Sequence, residues 1–268
     1  MTGMALRETF NEDAELYDRA RPTYPPDLVA ELGRAAGLGP GSRVLEVAPG
    51  TGQLTLPLAE FGGRVTAVEL GAEMARVARR RLRGFPHVSV EVADFEEWPL
   101  PAEPFDLMVC ATAWHWFAPD TRVERAADAL APGGLLGVVV TDHVAGGTTE
   151  FFHRSQECYQ RWDPATPPGL LLKEAAEIPT RAEEFERCPR FENVTVTRYF
   201  QEITYTTDAY LDVLLTYSNH RALDAGRREG LLGCIRELID SGYDGRVTKR
   251  YLHELITATR TESSRADL

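Results

Sequence analysis

The stretch Arg43-Val44-Leu45-Glu46-Val47-Ala48-Pro49-Gly50-Thr51-Gly52-Gln53-Leu54-Thr55 decides the fold. A β-branched apolar run that stops on Ala-Pro-Gly-Thr-Gly reads as a buried strand followed by a tight turn into a helix. Gly50 and Gly52 lack Cβ atoms, so the backbone can take unusual dihedrals there and a nucleotide-like ligand can approach it closely. A helix starting near Thr51 to Leu54 would aim free N–H groups and its positive dipole end at that ligand. A dinucleotide fingerprint needs a glycine where Thr55 stands, and usually one at Ala48, so NAD is disfavoured.

Outward from this stretch, residues 41 to 141 repeat one theme of short β-branched run and helical pattern. Strands are expected at Arg43 to Val47, Arg64 to Glu69, Val88 to Ala93, Phe105 to Ala111 and Leu135 to Thr141. Helices are expected near Gln53 to Phe61, Ala72 to Leu82 and Arg122 to Leu130. Such alternation implies an α/β, Rossmann-like, doubly wound parallel sheet, with ligands bound beyond the carboxyl ends of its strands. That rule gathers Glu46 to Gly52, Glu69 with Leu70, Asp94 with Phe95, and Thr112 to His115. Glu69 closes the second strand at the distance where a carboxylate reaches ribose hydroxyls. Asp94 closes the third, placed to accept from an adenine amino group, although either acid would also serve as a turn or N-cap residue.

The segment before the core, Phe10 to Tyr24, reads as an irregular arm carrying Tyr17, Arg21 and Tyr24, followed by a helix over Asp27 to Gly37. After Thr141 the alternation stops. Helices are expected at Thr148 to Arg161 and Leu170 to Glu186, a strand at Phe191 to Thr206, one or two helices over Asp208 to Ser241 that include Tyr217, and a last strand at Arg246 to Thr259. The expected division is an arm and first helix at 1–40, a core at 41–144, a helical insertion at 145–190, edge strands with a second insertion at 191–260, and a frayed tail at 261–268.

A formal net charge of -12 over 268 residues argues against a general nucleic-acid binder. The basic run Arg76, Arg79, Arg80, Arg81 and Arg83 has the spacing of a solvated helix face. The four cysteines, Cys110, Cys158, Cys188 and Cys234, form no Cys-x-x-Cys pair and read as buried thiols of a reducing compartment. No stretch reads as a signal peptide or a membrane span, so a cytoplasmic monomer or homodimer acting on a small molecule is expected. No metal-ligand spacing occurs.

The opening stretch resembles motif I of the class I S-adenosylmethionine (SAM)-dependent methyltransferases, with Glu46 as the acid, Ala48 in place of the first glycine, and Gly50 and Gly52 as the second and third. Tyr17-Asp-x-x-Arg21-Pro-x-Tyr24-Pro is similar to the segment that closes over the cofactor in many small-molecule methyltransferases. Ala113-Trp114-His115-Trp116 looks like the signature of the trans-aconitate-methyltransferase-like (type 11) group, and Ala131-Pro132-Gly133-Gly134 like the turn before its fifth strand. The resemblance implies a sheet in the order 3-2-1-4-5-7-6 with the last strand antiparallel and inserted helices forming a cap. It further implies SAM bound by Glu46, Ala48, Gly50, Thr51, Gly52, Glu69, Leu70, Asp94, Phe95 and Thr112. His115 would be a base or an acceptor-orienting group, with Tyr17, Arg21, Tyr24, Trp114, Trp116 and Tyr217 at the lid or acceptor. The expected reaction moves a methyl group to an O, N or carboxylate acceptor; a catalytically silent SAM binder and a nicotinamide oxidoreductase are the alternatives.

Overall fold

The computed structural model describes residues 11, 13–163 and 165–262, so expectations touching Phe10, Pro164 and the tail beyond residue 262 lie outside the described residues. A seven-stranded sheet runs in the order β3-β2-β1-β4-β5-β7-β6. Its strands are β1 (Arg43–Val47), β2 (Arg64–Glu69), β3 (Val88–Val92), β4 (Phe105–Ala111), β5 (Leu130–Val144), β6 (Phe191–Thr206) and β7 (Arg246–Arg260). β1 pairs in parallel with both β2 and β4, in the registers Val47 to Val68 and Val47 to Cys110. The side-chain pairs Thr195–Thr257 and Arg198–Glu254 run in opposite senses along β6 and β7, as do Thr141–His253 and Leu130–Arg260 along β5 and β7. The last strand is therefore antiparallel to both neighbours, as the sequence reading expects.

The chain divides into two compact units. The first, here the core unit, comprises Pro22–Thr141, Thr180–Tyr199 and the stretch from His253; the second comprises the stretch ending at Arg21, Asp142–Pro179 and Phe200–Leu252. This is not the expected division. The arm is split at Arg21/Pro22, residues from Thr180 to the 190 boundary belong with the core, and β6 and β7 each contribute to both units.

In the core unit α2 (Pro26–Ala35), α3 (Thr55–Ala59), α4 (Ala72–Arg81) and α5 (Arg122–Ala129) cover the sheet. Two apolar clusters result: Leu45, Val47, Met108, Cys110, Leu136 and Trp114 in one, Leu28, Leu32, Val44, Leu58, Leu107 and Val109 in the other. Alternate residues of β1 and β4 thus feed opposite faces, as the side-chain period of a strand requires. On α4, Met74, Ala75, Val77 and Ala78 are buried, and the exposed Arg76 pairs with Glu73 at 2.8 Å. The basic run is a helix surface.

Several expectations are corrected. α3 starts at Thr55, not near Thr51 to Leu54, because Pro57 has no N–H and is tolerated only in a first turn. With five residues it offers no N-terminal dipole site. β5 extends over the Pro132-Gly133-Gly134 segment, which forms a bulge between the pairs Phe105–Leu130 and Leu107–Leu135. Leu170 to Glu186 is not one helix: the segment holds only a 3-10 turn (Ala175–Glu177) and the short α7 (Glu183–Glu186). Pro179 disfavours helical dihedrals at Ile178, which is extended.

The second unit contains α1 (Ala14–Ala20), α6 (Thr149–Trp162), α8 (Thr207–Leu215), α9 (Ser218–Arg221) and α10 (Ala225–Gly242). Tyr17 is therefore on a helix, capped by Asp13, rather than on an irregular arm. Asp224 caps α10 through the Arg227 amide at 3.0 Å, and so divides what reads as one or two helices into three. Phe151, Tyr210, Val213, Leu231, Ile235 and Ile239 form this unit's own core. Cys158 and Cys234 are joined in a disulfide, S–S 2.03 Å, that ties α6 to α10. The expectation of four free thiols fails for this pair; Cys110 and Cys188 are free and buried. Widely separated cysteines leave no trace of pairing in the sequence, since helix packing alone brings them together.

Candidate functional site

The carboxyl ends of β1, β2 and β4 lie side by side in the sheet. Directly after β1, Ala48 has a φ of 54°, and its amide donates to Val68 O at 2.9 Å. Directly after β4, Thr112 has a φ of 57°, and its amide donates to Val139 O at 2.7 Å. Each strand thus hands its next amide to a neighbouring strand and then bends away. Gly50 (φ 61°) and Gly52 (φ 89°) complete the turn, with the Gly52 amide on Pro49 O at 3.0 Å. Left-handed dihedrals explain the two glycines; at Ala48 the same dihedral is carried with strain.

Polar side chains face this turn. Glu46, on β1, is 2% exposed, and its Oε2 has no hydrogen-bond partner among the described residues. The same holds for Thr51 Oγ1 and Gln53 Nε2, both buried. Three orphaned polar groups between Glu46 and Gln53, beside a left-handed glycine turn, indicate a place built for a polar ligand. Burial pushes the Glu46 carboxyl up to about 8 against a hydrogen bond from Thr55, with the Glu69 charge adding to the rise. Glu69 accepts from the Gly50 amide at 3.0 Å and the Gly71 amide at 2.8 Å, closing the turn against β2. Burial raises its pKa to about 7 against the pull of those amides. Two buried carboxyls held near neutrality favour a ligand that brings positive charge and hydroxyl donors. The residues therefore fit SAM, which carries an ammonium, a sulfonium and a ribose.

The remaining expected residues divide. Leu70 is exposed at the end of β2, as a wall for a planar ring would be. Asp94 Oδ1 accepts from the Glu96 amide at 2.9 Å, the turn role open to it from the sequence. Phe95 is buried edge-to-face with Phe117 at 5.7 Å, under Arg125. Its side chain belongs to the core, so only its backbone remains for a ligand. Trp114, expected to wall the pocket, is likewise core: it is buried, packs on Phe185, and donates to Glu184 Oε1 at 2.9 Å. Arg122 holds both oxygens of that Glu184 at 2.8 and 3.0 Å. The 3-10 turn Trp114–Trp116 consequently turns His115 outward, where it is exposed, its ring tilted against that of Trp116 at 4.7 Å. Desolvation, then the charges of Arg122 and Arg181, hold its pKa below the usual range, so it is neutral at pH 7. The Tyr24 hydroxyl lies 3.3 Å from Thr112 Oγ1, and its ring meets His253 edge-on at 6.0 Å. His253, bonded to Thr141 Oγ1 at 2.9 Å, was not singled out from sequence; nothing but its inward parity on β7 could have found it.

Within the second unit Arg21 lies over the rings of Tyr17 at 5.1 Å and Tyr217 at 4.6 Å, and donates to Thr216 O at 3.2 Å. Lys249 Nζ donates to the Tyr217 hydroxyl at 2.7 Å. Among the described residues no group of acids, histidines and cysteines could hold a metal ion, and no helix is long and apolar enough to cross a membrane.

Residues 44–134, the segment that contains this turn and its flanking strands, match the family model for a methyltransferase domain. Over that segment the chain is similar to a methyltransferase domain. A Mycobacterium tuberculosis protein named as an uncharacterized methyltransferase is 38% identical over 131 residues, which is 49% of this chain and 51% of that protein. The chain thus spans about half the length of the curated relatives it matches. Among solved structures, an Anaeromyxobacter dehalogenans protein described as a type II methyltransferase superposes with a TM-score of 0.60 at 24% identity, covering 90% of this chain and 97% of its own. An N-methyltransferase of Haemonchus contortus, in complex with phosphomonomethylethanolamine and S-adenosylhomocysteine, gives 0.54 at 18%, covering 94% and 57%. These two likenesses concern the methyltransferase fold, including its strand order.

Proposed function

We propose that the protein transfers a methyl group from SAM to an oxygen, nitrogen or carboxylate acceptor on a small molecule. The observation that carries this reading is the orphaned Glu46 carboxylate beside the left-handed Gly50–Gly52 turn, closed by Glu69. In this reading Glu46 holds the ammonium of the methionine moiety. Glu69 keeps lone pairs beyond the two amides it accepts, and these receive the ribose hydroxyls. Ala48, Gly50, Thr51, Gly52 and Thr112 present backbone to the ligand, while Leu70, Asp94 and the Phe95 backbone border the adenine. SAM supplies an activated methyl on a sulfonium, so the chain mainly has to hold an acceptor in line and exclude water. His115, neutral and exposed, either takes a proton from the acceptor or orients it. Trp116 and Tyr24 flank the acceptor.

Calorimetric titration with SAM, S-adenosylhomocysteine and NAD tests the cofactor, and binding of NAD alone would overturn it. Transfer of labelled methyl into a metabolite extract tests the reaction. Tight SAM binding without any transfer would leave a SAM-binding protein and refute the enzyme.

A further inference from the structure

Glu184 on α7 and Arg122 at the start of α5 form a two-bonded ion pair, in which Arg122 Nε donates to Glu184 Oε2 at 2.8 Å and Nη2 to Oε1 at 3.0 Å. The third guanidinium nitrogen, Nη1, donates to Trp114 O at 3.2 Å. Trp114 returns the contact: its indole N–H donates to Glu184 Oε1 at 2.9 Å, and its ring faces the guanidinium at 5.5 Å. Every nitrogen of the Arg122 guanidinium and both oxygens of Glu184 are therefore committed, and together they grip one residue, the first of the 3-10 turn Trp114–Trp116. The Arg122 and Glu184 side chains are 16% and 27% exposed, so the pair is largely shielded from water, and two parallel bonds fix its geometry as well as its charge.

All of these residues belong to the core unit. Trp114 O also accepts from the Phe117 amide at 3.3 Å, the bond that closes the turn, so Arg122 holds the carbonyl on which the turn depends. Just past the turn, the Ala118 amide donates to Glu96 Oε1 at 2.9 Å. A helix of four residues such as α7 is not stable by itself; Phe185, fully buried and 5.6 Å from the Trp114 ring, anchors it and leaves Glu184 facing the turn. His115 thus sits between two ends that are both tied down. After desolvation, the charges that keep a proton off its imidazole are those of Arg122 and of Arg181, which lies just ahead of α7. Glu184 lies outside residues 44–134, so the turn inside the matched segment is held from a part of the chain beyond it.

We propose that Glu184 and Arg122 are positioning residues for His115, gripping its turn by the Trp114 carbonyl and indole so that the imidazole meets the acceptor in a single orientation. The inference rests on the reading of His115 as the group that faces the acceptor. Neither Glu184 nor Arg122 takes part in the transfer. Arg122 has two separable effects: its fork of donors sets the geometry of the turn, and its charge keeps the imidazole neutral and able to accept from the acceptor. A lysine at that position keeps the charge and loses the grip, because one nitrogen cannot make the parallel bonds to Glu184 and also reach the Trp114 carbonyl. A methionine loses both.

Nuclear magnetic resonance of the ligand-free chain reads both effects without any assay of methyl transfer. Wild type should show close contacts between the His115 and Trp116 rings and a low pH midpoint for the imidazole. Glu184→Ala and Arg122→Lys should both lose the ring contacts; the midpoint should stay low in Arg122→Lys and rise by roughly 0.5–1 on the pH scale in Arg122→Met. Unchanged ring contacts in Glu184→Ala, or an unmoved midpoint in Arg122→Met, would overturn the inference. Should the alanine variant not fold, Glu184→Gln, which keeps an acceptor for the indole and lacks the ion pair, should show a partial loss of the same contacts, and full retention would count equally against the grip. With an acceptor in hand, Glu184→Ala should lower kcat by about 10–100-fold and leave KM for SAM unchanged, with Glu184→Gln losing less; a loss confined to SAM affinity would refute the positioning role. Absence of methyl transfer in the wild type would sink the methyltransferase reading instead, while the resonance result would still decide what holds His115.

Discussion

Glu46→Gln separates a ligand-binding carboxylate from a structural one. In the folded chain burial raises this carboxyl from 4.5 to about 8. A raised carboxyl stabilises the fold fully below its unfolded pKa, and that contribution is lost as the pH rises through the folded value. At roughly 1.4 kcal/mol per pH unit, the loss grows by about 3 kcal/mol between pH 5.5 and 8.5. Glutamine has nothing to ionise. Urea denaturation of ligand-free protein should therefore show the stability difference between Glu46→Gln and wild type shifting in the variant's favour by about 3 kcal/mol from pH 5.5 to 8.5. The decline that Glu69 contributes in the same direction should survive in both. Saturating S-adenosylhomocysteine should reverse the order at pH 8.5, because its ammonium pairs with the carboxylate and gains less from the amide. Parallel pH curves for the two proteins would refute the assignment of Glu46 as a strained, ligand-seeking group.

Glu69→Ala should weaken S-adenosylhomocysteine binding by about 1–3 kcal/mol in calorimetry, as ribose hydroxyls and the Gly50 and Gly71 amides lose their acceptor; unchanged affinity would contradict the ribose role. Ala48→Gly should raise the stability measured by denaturation by about 1 kcal/mol, since only the alanine is strained at a φ of 54°. Cys158→Ser should destabilise by about 2–4 kcal/mol, seen as an earlier melt that wild type reproduces only under reducing agent. His115→Ala should keep cofactor affinity and lower turnover, by less than a hundredfold if the imidazole only orients the acceptor; lost cofactor binding would place it at the wrong site.

The half of the chain that carries the Gly50–Gly52 turn was legible because its signals are local. β1, β2 and β4 end where β-branched runs meet Ala48, Leu70 and Thr112, and the spacing from Gly50 to Glu69 follows from one strand–helix–strand unit. Errors arose where a tertiary partner decides. Trp114 looks like any aromatic at a cleft until Glu184 and Arg122, from two distant segments, draw it inward. Phe95 follows the same logic with Phe117. Between Leu170 and Glu186 the apolar period suggested a helix, and the single Pro179 outweighed it. The meeting of Tyr217 with Lys249 spans 32 residues and two elements of different period, so no pattern in either stretch announces it.

Ala48 and Thr112 follow directly on two adjacent parallel strands, and each leaves its strand through a left-handed dihedral that its side chain tolerates poorly. The way the chain leaves both strands is thus set by main-chain torsion at two neighbouring points. Replacing the side chains around them should then leave the two turns standing, so a chain of this kind can change the surface at its strand ends and keep its scaffold.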